Sequence, residues 1–358
     1  MAAALAASLG MIVAPTASPS AAEPVCDVPE SGPVEASELP EGSDAVECDA
    51  VDRMLVVGET VIPVPPPGLT VTMHMDYAGG GSITSEASTA LDGTVTYDSE
   101  TLAPLEAENP PTTTLPDEDL TTETDPIDPG PDENDPSIDP KLAVQRNGCD
   151  RNRFNWWKPA KVYGSFPMRV STDDAGEPAG GTTSDTASAL RRSLGTWENE
   201  NSPCFSSDQS AVPNLFYDGL TTTQGDFVDT ASGTACAPRA DIDSRSSVDI
   251  GDLEPNALVA GTCTWTTGHD GLNEVIQADI RFNTTDYDFT YTPGDGDCDS
   301  NDFDVISILT HELGHVLGFD DLYDPANRYL TMSGRVNNCT TYLRNLGRGD
   351  VLGLRERY

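Results

Sequence analysis

The sequence predicts an α+β fold for the segment from about residue 143 onward. Three observations carry this prediction. In NEVIQADIRFN, residues 273–283, Val275, Gln277, Asp279 and Arg281 alternate with Ile276, Ala278, Ile280 and Phe282, which is the period of a strand. In NDFDVISILTHELGHVLG, residues 301–318, apolar side chains recur at helical spacing at Val305, Ile306, Ile308, Leu309, Leu313, Val316 and Leu317. The order is strand, helix, several strands, then a late helix, rather than the regular alternation of a parallel doubly wound sheet.

Taken from the start, residues 1–22 hold a short apolar run ending in Ser20-Ala21-Ala22, the form of a secretory signal cleaved near Ala22. The basic residues expected at the head of such a signal are missing, so the true start is placed upstream; an apolar helix or a tail is the other reading. Residues 23–103 carry the β-like runs RMLVVGETVIPV and LTVTMHMDY, a small β region or a propeptide tied by Cys26 and Cys48. Residues 104–142 are dominated by Pro, Thr, Asp and Glu, with too few apolar side chains to offset the entropy of ordering, and read as an acidic linker. All four tryptophans and six of the eight cysteines follow, in residues 143–358. There SFPMRVSTDD reads as a strand, and SDTASALRRSLGTWENE as an amphipathic helix capped by Ser184 or Asp185. NLFYDGL and SSVDIGDL are further strand candidates. The helix at 305–317 is capped by Asp302 or Ser300.

The chain carries 60 acidic against 19 basic residues, a formal charge of −41, and this excludes nucleic acid and anionic lipid as partners. No stretch after the N-terminus approaches the ~20 apolar residues of a membrane span. Eight cysteines without a C-x-x-C pair fit disulfides and an oxidising compartment. These features predict a secreted protein, expected to act as a monomer.

The chemistry concentrates in HELGHVLGFDD, residues 311–321. On a helix, residues four apart share a face, so His311 and His315 point the same way and can grip one metal ion, with Glu312 beside them as general base. Gly318 ends the helix in a left-handed turn that returns the chain, and spacing selects Asp321 over Asp320 as third ligand. Zinc accepts two imidazoles and a carboxylate. A carboxylate lowers the site charge from +2 to +1, which predicts a weaker Lewis acid than three histidines would make. The expected reaction is peptide hydrolysis, with a zinc-bound water as nucleophile and Glu312 taking its proton.

HELGHVLGFDD followed by YLTMSG, residues 329–334, resembles the metzincin clan of zinc endopeptidases. The H-E-x-x-H-x-x-G-x-x-D form, with Tyr323 two places beyond Asp321 and then Met332-Ser333-Gly334, is similar to the snapalysin family, whose third zinc ligand is aspartate. VIQADIRFN, FDVISILTHELGHVLG and RGDVLGLRERY look like the edge strand, active-site helix and last helix of matrixin catalytic domains. The resemblance covers roughly residues 150–358 and is specific at the metal site and looser upstream, with insertions between Ala179 and Asn273. It implies a metzincin-like domain with a twisted mixed sheet, an active-site helix, a methionine turn and a C-terminal helix. It implies Met332 as a hydrophobic base under the ligands, and Tyr323 as either a donor to the reaction's oxyanion or a packing residue. The strand ending in ADIRFN is implied to line the cleft and pair with an extended protein or peptide substrate, with an internal strand as the other reading. A second function class is kept beside this one: a metalloprotease-like domain without activity that serves as an extracellular or wall-associated binding module.

Lesser signals complete the reading. PVCDVPE, residues 24–30, resembles the matrixin propeptide segment whose cysteine blocks the zinc, but it lacks that segment's arginine and glycine, and Cys26–Cys48 pairing is the simpler expectation. DGDCDSND, residues 295–302, spaces carboxylates like a calcium loop, making calcium a second candidate cation beside solvated acidity. Asp350 reads as the cap of the last helix, and His269 as a loop residue. His74 carries no assigned role. Cys298–Cys339 pairing would brace the catalytic segment, with Cys236–Cys263 and Cys149–Cys204 completing a nearest-neighbour scheme.

Overall fold

A computed structural model describes residues 26–102, 148–157, 160–172, 181–205, 213–269, 272–292, 302–335 and 337–358. The expected leader, the linker and the acidic loop up to residue 301 lie outside them. The described chain is mixed α+β, with three α-helices and a mixed sheet.

The N-terminal region begins with β1 (Val34–Glu35), β2 (Met54–Val57) and β3 (Thr60–Pro63), a three-stranded sheet whose β2–β3 hairpin turns at Gly58-Glu59. The meander β4 (Leu69–Tyr77), β5 (Ser82–Thr89) and β6 (Val95–Leu102) follows. β4 alternates: Val71, Met73, Met75 and Tyr77 enter one apolar cluster with Cys263 and Trp265, which leaves Thr72, His74 and Asp76 on the opposite face. The turn into β5 runs through Gly79, Gly80 and Gly81, all at positive φ.

Next come β7 (Ala160–Lys161), β8 (Ser165–Ser171), α1 (Thr183–Glu198), β9 (Asn214–Thr221), the hairpin β10 (Phe227–Thr230) and β11 (Gly233–Cys236), and β12 (Ser247–Gly251). The long strands β13 (Leu258–His269) and β14 (Leu272–Asn283) lead to β15 (Asp288–Thr290), β16 (Asp302–Asp304), α2 (Val305–Val316) and α3 (Arg348–Arg357). The main sheet runs β6-β5-β4-β13-β14-β12-β8-β9, with β7 also on β14. β12, β8 and β9 pair in parallel, whereas β4, β13 and β14 are antiparallel neighbours.

This order corrects one expectation. β14 is not an edge strand, since β13 pairs along one side of it and β12 along the other. Its polar face is buried too: Arg281 donates to both oxygens of Asp249. The N-terminal meander extends the same sheet, because β4 pairs with β13 from Leu69↔Thr267 to Tyr77↔Leu258.

α2 is buried along its whole length and packs on α1, where the Trp197 indole N–H donates to the Thr310 carbonyl at 2.7 Å. Its cap is Asp304, which accepts the Ser307 N–H at 2.9 Å. The expected cap Asp302 is displaced because parallel pairing with β15 draws Asp302–Asp304 into β16 before the helix starts, and the other expected cap, Ser300, lies outside the described residues. Likewise α1 is capped from Thr182, whose N–H donates to Asp185 at 2.8 Å, two residues before Ser184 and three before Asp185, the expected caps. His269 is the last residue of β13 rather than part of a loop. Disulfides join Cys26–Cys48, Cys149–Cys204 and Cys236–Cys263. Cys339 is also disulfide-bonded, and its expected partner, Cys298, lies outside the described residues. With Cys26 in a disulfide, no cysteine of the PVCDVPE segment is available to a metal.

Candidate metal centre

α2 places His311 and His315 one turn apart with their Nε2 atoms 3.0 Å from each other. Each imidazole is oriented from behind. His311 Nδ1 donates to the Thr331 carbonyl at 2.7 Å, and His315 Nδ1 to the Phe319 carbonyl at 3.0 Å. A carbonyl only accepts, so both rings carry a proton on Nδ1, and Nε2 is the atom each turns toward the other donors.

After α2, Gly318 stands at φ +89° and its N–H returns to the His315 carbonyl at 2.9 Å. The left-handed turn brings Asp321 to the imidazoles, with Oδ1 3.2 Å from His311 Nε2. Asp320 points away, accepting from the Asn155 amide at 2.8 Å. Tyr323 donates its hydroxyl to Asp321 Oδ2 at 2.8 Å and also meets Ser82 Oγ.

Met332 is fully buried beneath α2. A Cβ on Gly314 would stand 2.1 Å from its sulfur and 3.0 Å from the Trp197 ring, so the methionine turn requires glycine at that point of the helix. The turn is pinned by Asp350, which accepts the N–H groups of Thr331 and Gly347 at 2.8 Å and that of Met332 at 3.3 Å. Asp350 is not itself the N-cap of α3, which is Gly347, but as the third residue of the helix it accepts the Gly347 N–H, and through the Thr331 N–H it also holds the residue whose carbonyl orients His311.

Three contributors were not legible as site residues. His74, on β4, places Nε2 3.0 Å from Asp321 Oδ2, with its Nδ1 against the Thr84 hydroxyl. Asp76, two residues on, sets Oδ2 3.2 Å from His311 Nε2. Thr262, the β13 partner of His74, donates its hydroxyl to Glu312 Oε2 at 2.5 Å. Alternation in LTVTMHMDY puts His74 and Asp76 on one face, but no local signal says what that face meets.

Ligand atoms of His74, Asp76, His315 and Asp321 all lie within 4.8 Å of one another, and His311 adjoins them. The donors suit a cation. Asp76 Oδ1 and Oδ2, Asp321 Oδ1 and Glu312 Oε1 are buried and accept no hydrogen bond, although imidazole nitrogens stand at ion-pair distance from the two aspartates. Buried carboxylate oxygens left this way are costly unless a positive charge is shared among them. Two nitrogens bound to one zinc at about 2.0–2.1 Å can be no more than about 4.2 Å apart, and the His311–His315 separation of 3.0 Å meets that limit.

The protonation pattern of the metal-free cluster follows from its packing. Burial pushes His74 down, but Asp321 and Asp76 more than reverse this and hold it well above the ordinary histidine range. His311 is raised in the same way by Asp76 and Asp321 against burial. Burial, together with the neighbouring His74 and His311, holds His315 down at about 3. Asp321 is pushed up by burial and Asp76, yet His74 and His311 pull it to about 2. Glu312 is raised well above the usual carboxylate range, first by burial and then by Asp76. Glu312 thus stands beside the donor cluster as a carboxyl whose burial favours its protonated form.

No protein-family model matches the chain, and no curated protein matches it. The reading of the site therefore rests on its residues and their geometry.

Proposed function

We propose that the chain is a secreted zinc-dependent endopeptidase with a metzincin-like catalytic segment. The observation that carries this reading is the convergence of His311, His315 and Asp321 on one point with Glu312 beside them, one carboxylate oxygen held by Thr262 and the other free. Zinc fits two imidazoles and a carboxylate, and the three described disulfides and the absence of a membrane-crossing helix among the described residues fit an exported protein.

When bound, zinc supplies Lewis-acid polarisation of a scissile carbonyl and acidifies water. The chain's residues do the rest. Glu312 accepts a proton at Oε1 while Thr262 keeps Oε2 in place, and then passes that proton to the departing amine nitrogen. Burial and the neighbouring Asp76 raise the Glu312 carboxyl above the usual carboxylate range, which favours its holding a proton once it has taken one. Thr331, Phe319 and Tyr323 hold His311, His315 and Asp321 in orientation.

A second reading has its own support. His74 and Asp76 complete a closed set of donors, as structural metal sites do, which would suit an inactive binding module. A fully buried Glu312 aimed at the cluster argues for catalysis, because a structural site gains nothing from it. Elemental analysis and casein hydrolysis by protein recovered from culture medium test the proposal. The expected result is about one zinc per chain and hydrolysis abolished by a chelator and by Glu312→Ala. Equal hydrolysis by wild type and Glu312→Ala would remove the proposed mechanism.

A further inference from the structure

We infer that the N-terminal unit, residues 26–102, is a built-in inhibitor that closes the site with two ligands of its own, His74 and Asp76. The inference rests on the endopeptidase reading and adds its regulation. Three independent observations support it.

The first is ligand count. A catalytic zinc needs three protein ligands and an open position for water and substrate. His311, His315 and Asp321 already make three. His74 Nε2 lies 3.5 Å from Asp76 Oδ1 and 3.0 Å from Asp321 Oδ2, and Asp76 Oδ2 lies 3.2 Å from His311 Nε2. These two side chains occupy the space beside the three ligands. His74 and Asp76 are 4% and 2% exposed and Glu312 is fully buried, so among the described residues these two side chains lie over the cluster and leave His315, at 8%, the most exposed beside them.

The second is the sheet. An extended peptide is bound most simply by adding a strand to a free edge. β13 is the strand nearest α2 on that side, and its Thr262 holds Glu312. Its outer edge is taken by β4, antiparallel over Leu69–Tyr77. The register seats His74 opposite Thr262, so the same pairing that fills the edge delivers the imidazole to the cluster. At the other end, the Gly81 N–H donates to the Gly334 carbonyl at 3.1 Å and Ser82 meets Tyr323, which docks the β4–β5 turn onto the methionine turn.

The third is separability. Cys26–Cys48 lies wholly within the N-terminal unit, and Cys149–Cys204 and Cys236–Cys263 wholly outside it, so none of these disulfides staples the unit to the rest. Because β6, β5 and β4 lie at one end of the sheet, their departure would leave β13 as a free edge without breaking the order of the remaining strands.

The test uses the full chain loaded with Co2+ in place of zinc, comparing wild type with the His74→Ala, Asp76→Ala double variant. X-ray absorption is expected to count three imidazoles on the ion in wild type and two in the variant. Hydrolysis of a short unstructured peptide is expected to rise about tenfold in the variant, the factor by which a site open in about a tenth of molecules is held back. Two imidazoles in wild type, or equal and measurable hydrolysis by both proteins, overturns the inhibitory role and leaves the endopeptidase reading standing. No bound metal, or metal with no hydrolysis by either protein, overturns the endopeptidase reading and the inhibition with it. If the alanine pair does not fold, His74→Gln with Asp76→Asn carries the same comparison.

Discussion

The Thr262 hydroxyl donates to Glu312 Oε2 at 2.5 Å, joining the middle of β13 to α2 across 50 residues of sequence. Both groups are buried, so the bond is made without competition from water. Thr262→Val keeps the strand's shape and removes the donor. Peptide hydrolysis is expected to fall about tenfold in kcat, corresponding to the ~1–1.5 kcal/mol of one such bond, with zinc content unchanged and Thr262→Ser near wild type. A Thr262→Val variant that retains full kcat would show that Glu312 is oriented by something else.

Tyr323 and Asp320 separate the third ligand from its neighbour. The Tyr323 hydroxyl donates to Asp321, whereas Asp320 is turned toward Asn155. Tyr323→Phe is expected to weaken zinc binding by about 10–100-fold, the usual effect of losing a partner that orients a ligand. Asp321→Ala should lose most of the metal and Asp320→Ala should keep it. Competition against a chromogenic chelator measures all three, and retention of metal by Asp321→Ala with loss by Asp320→Ala would move the ligand by one residue.

Gly314 lies between the two histidines, and a Cβ there would stand 2.1 Å from the Met332 sulfur. Gly314→Ala overpacks this contact and is expected to lower stability by about 1–3 kcal/mol, despite the better helix propensity of alanine. Thermal unfolding of the apo and metal-loaded forms measures it. A raised melting temperature would mean that the methionine turn yields easily.

A separate acid cluster predicts a pH effect away from the metal. Asp226 is raised to about 6, chiefly by burial and also by Asp243 and Asp249, while it accepts from the Gln277 amide at 2.5 Å. A carboxyl whose pKa is higher folded than unfolded binds more protons in the folded chain between about pH 4 and about pH 6, so stability declines as pH rises through that window. Asp226→Asn removes the ionisation. Discounted for partial exposure, the variant is expected to be about 1 kcal/mol more stable than wild type at pH 8 and equal to it below about pH 4. Denaturant melts at the two pH values decide this, and a stabilisation that is the same at both would rule out ionisation as its cause.

What the chain determines by itself is whatever a helix turn or a strand's alternation can express. Two histidines four apart share a helix face, a glycine after them permits the returning turn, and the spacing to Asp321 rather than Asp320 follows from that turn. The strands at LTVTMHMDY, SFPMRVS and NEVIQADIRFN announce themselves in the same way. β13 does not, because Gly261 and its threonines blur the apolar period of a strand that is buried on both faces. The contact of the N-terminal unit with this cluster is beyond such patterns. His74 meets Asp321 across 247 residues, and nothing near His74 encodes that meeting. Periodicity reports which side chains share a face, over a few residues at most. Only the pairing of β4 with β13 decides that this face closes over His311, His315 and Asp321.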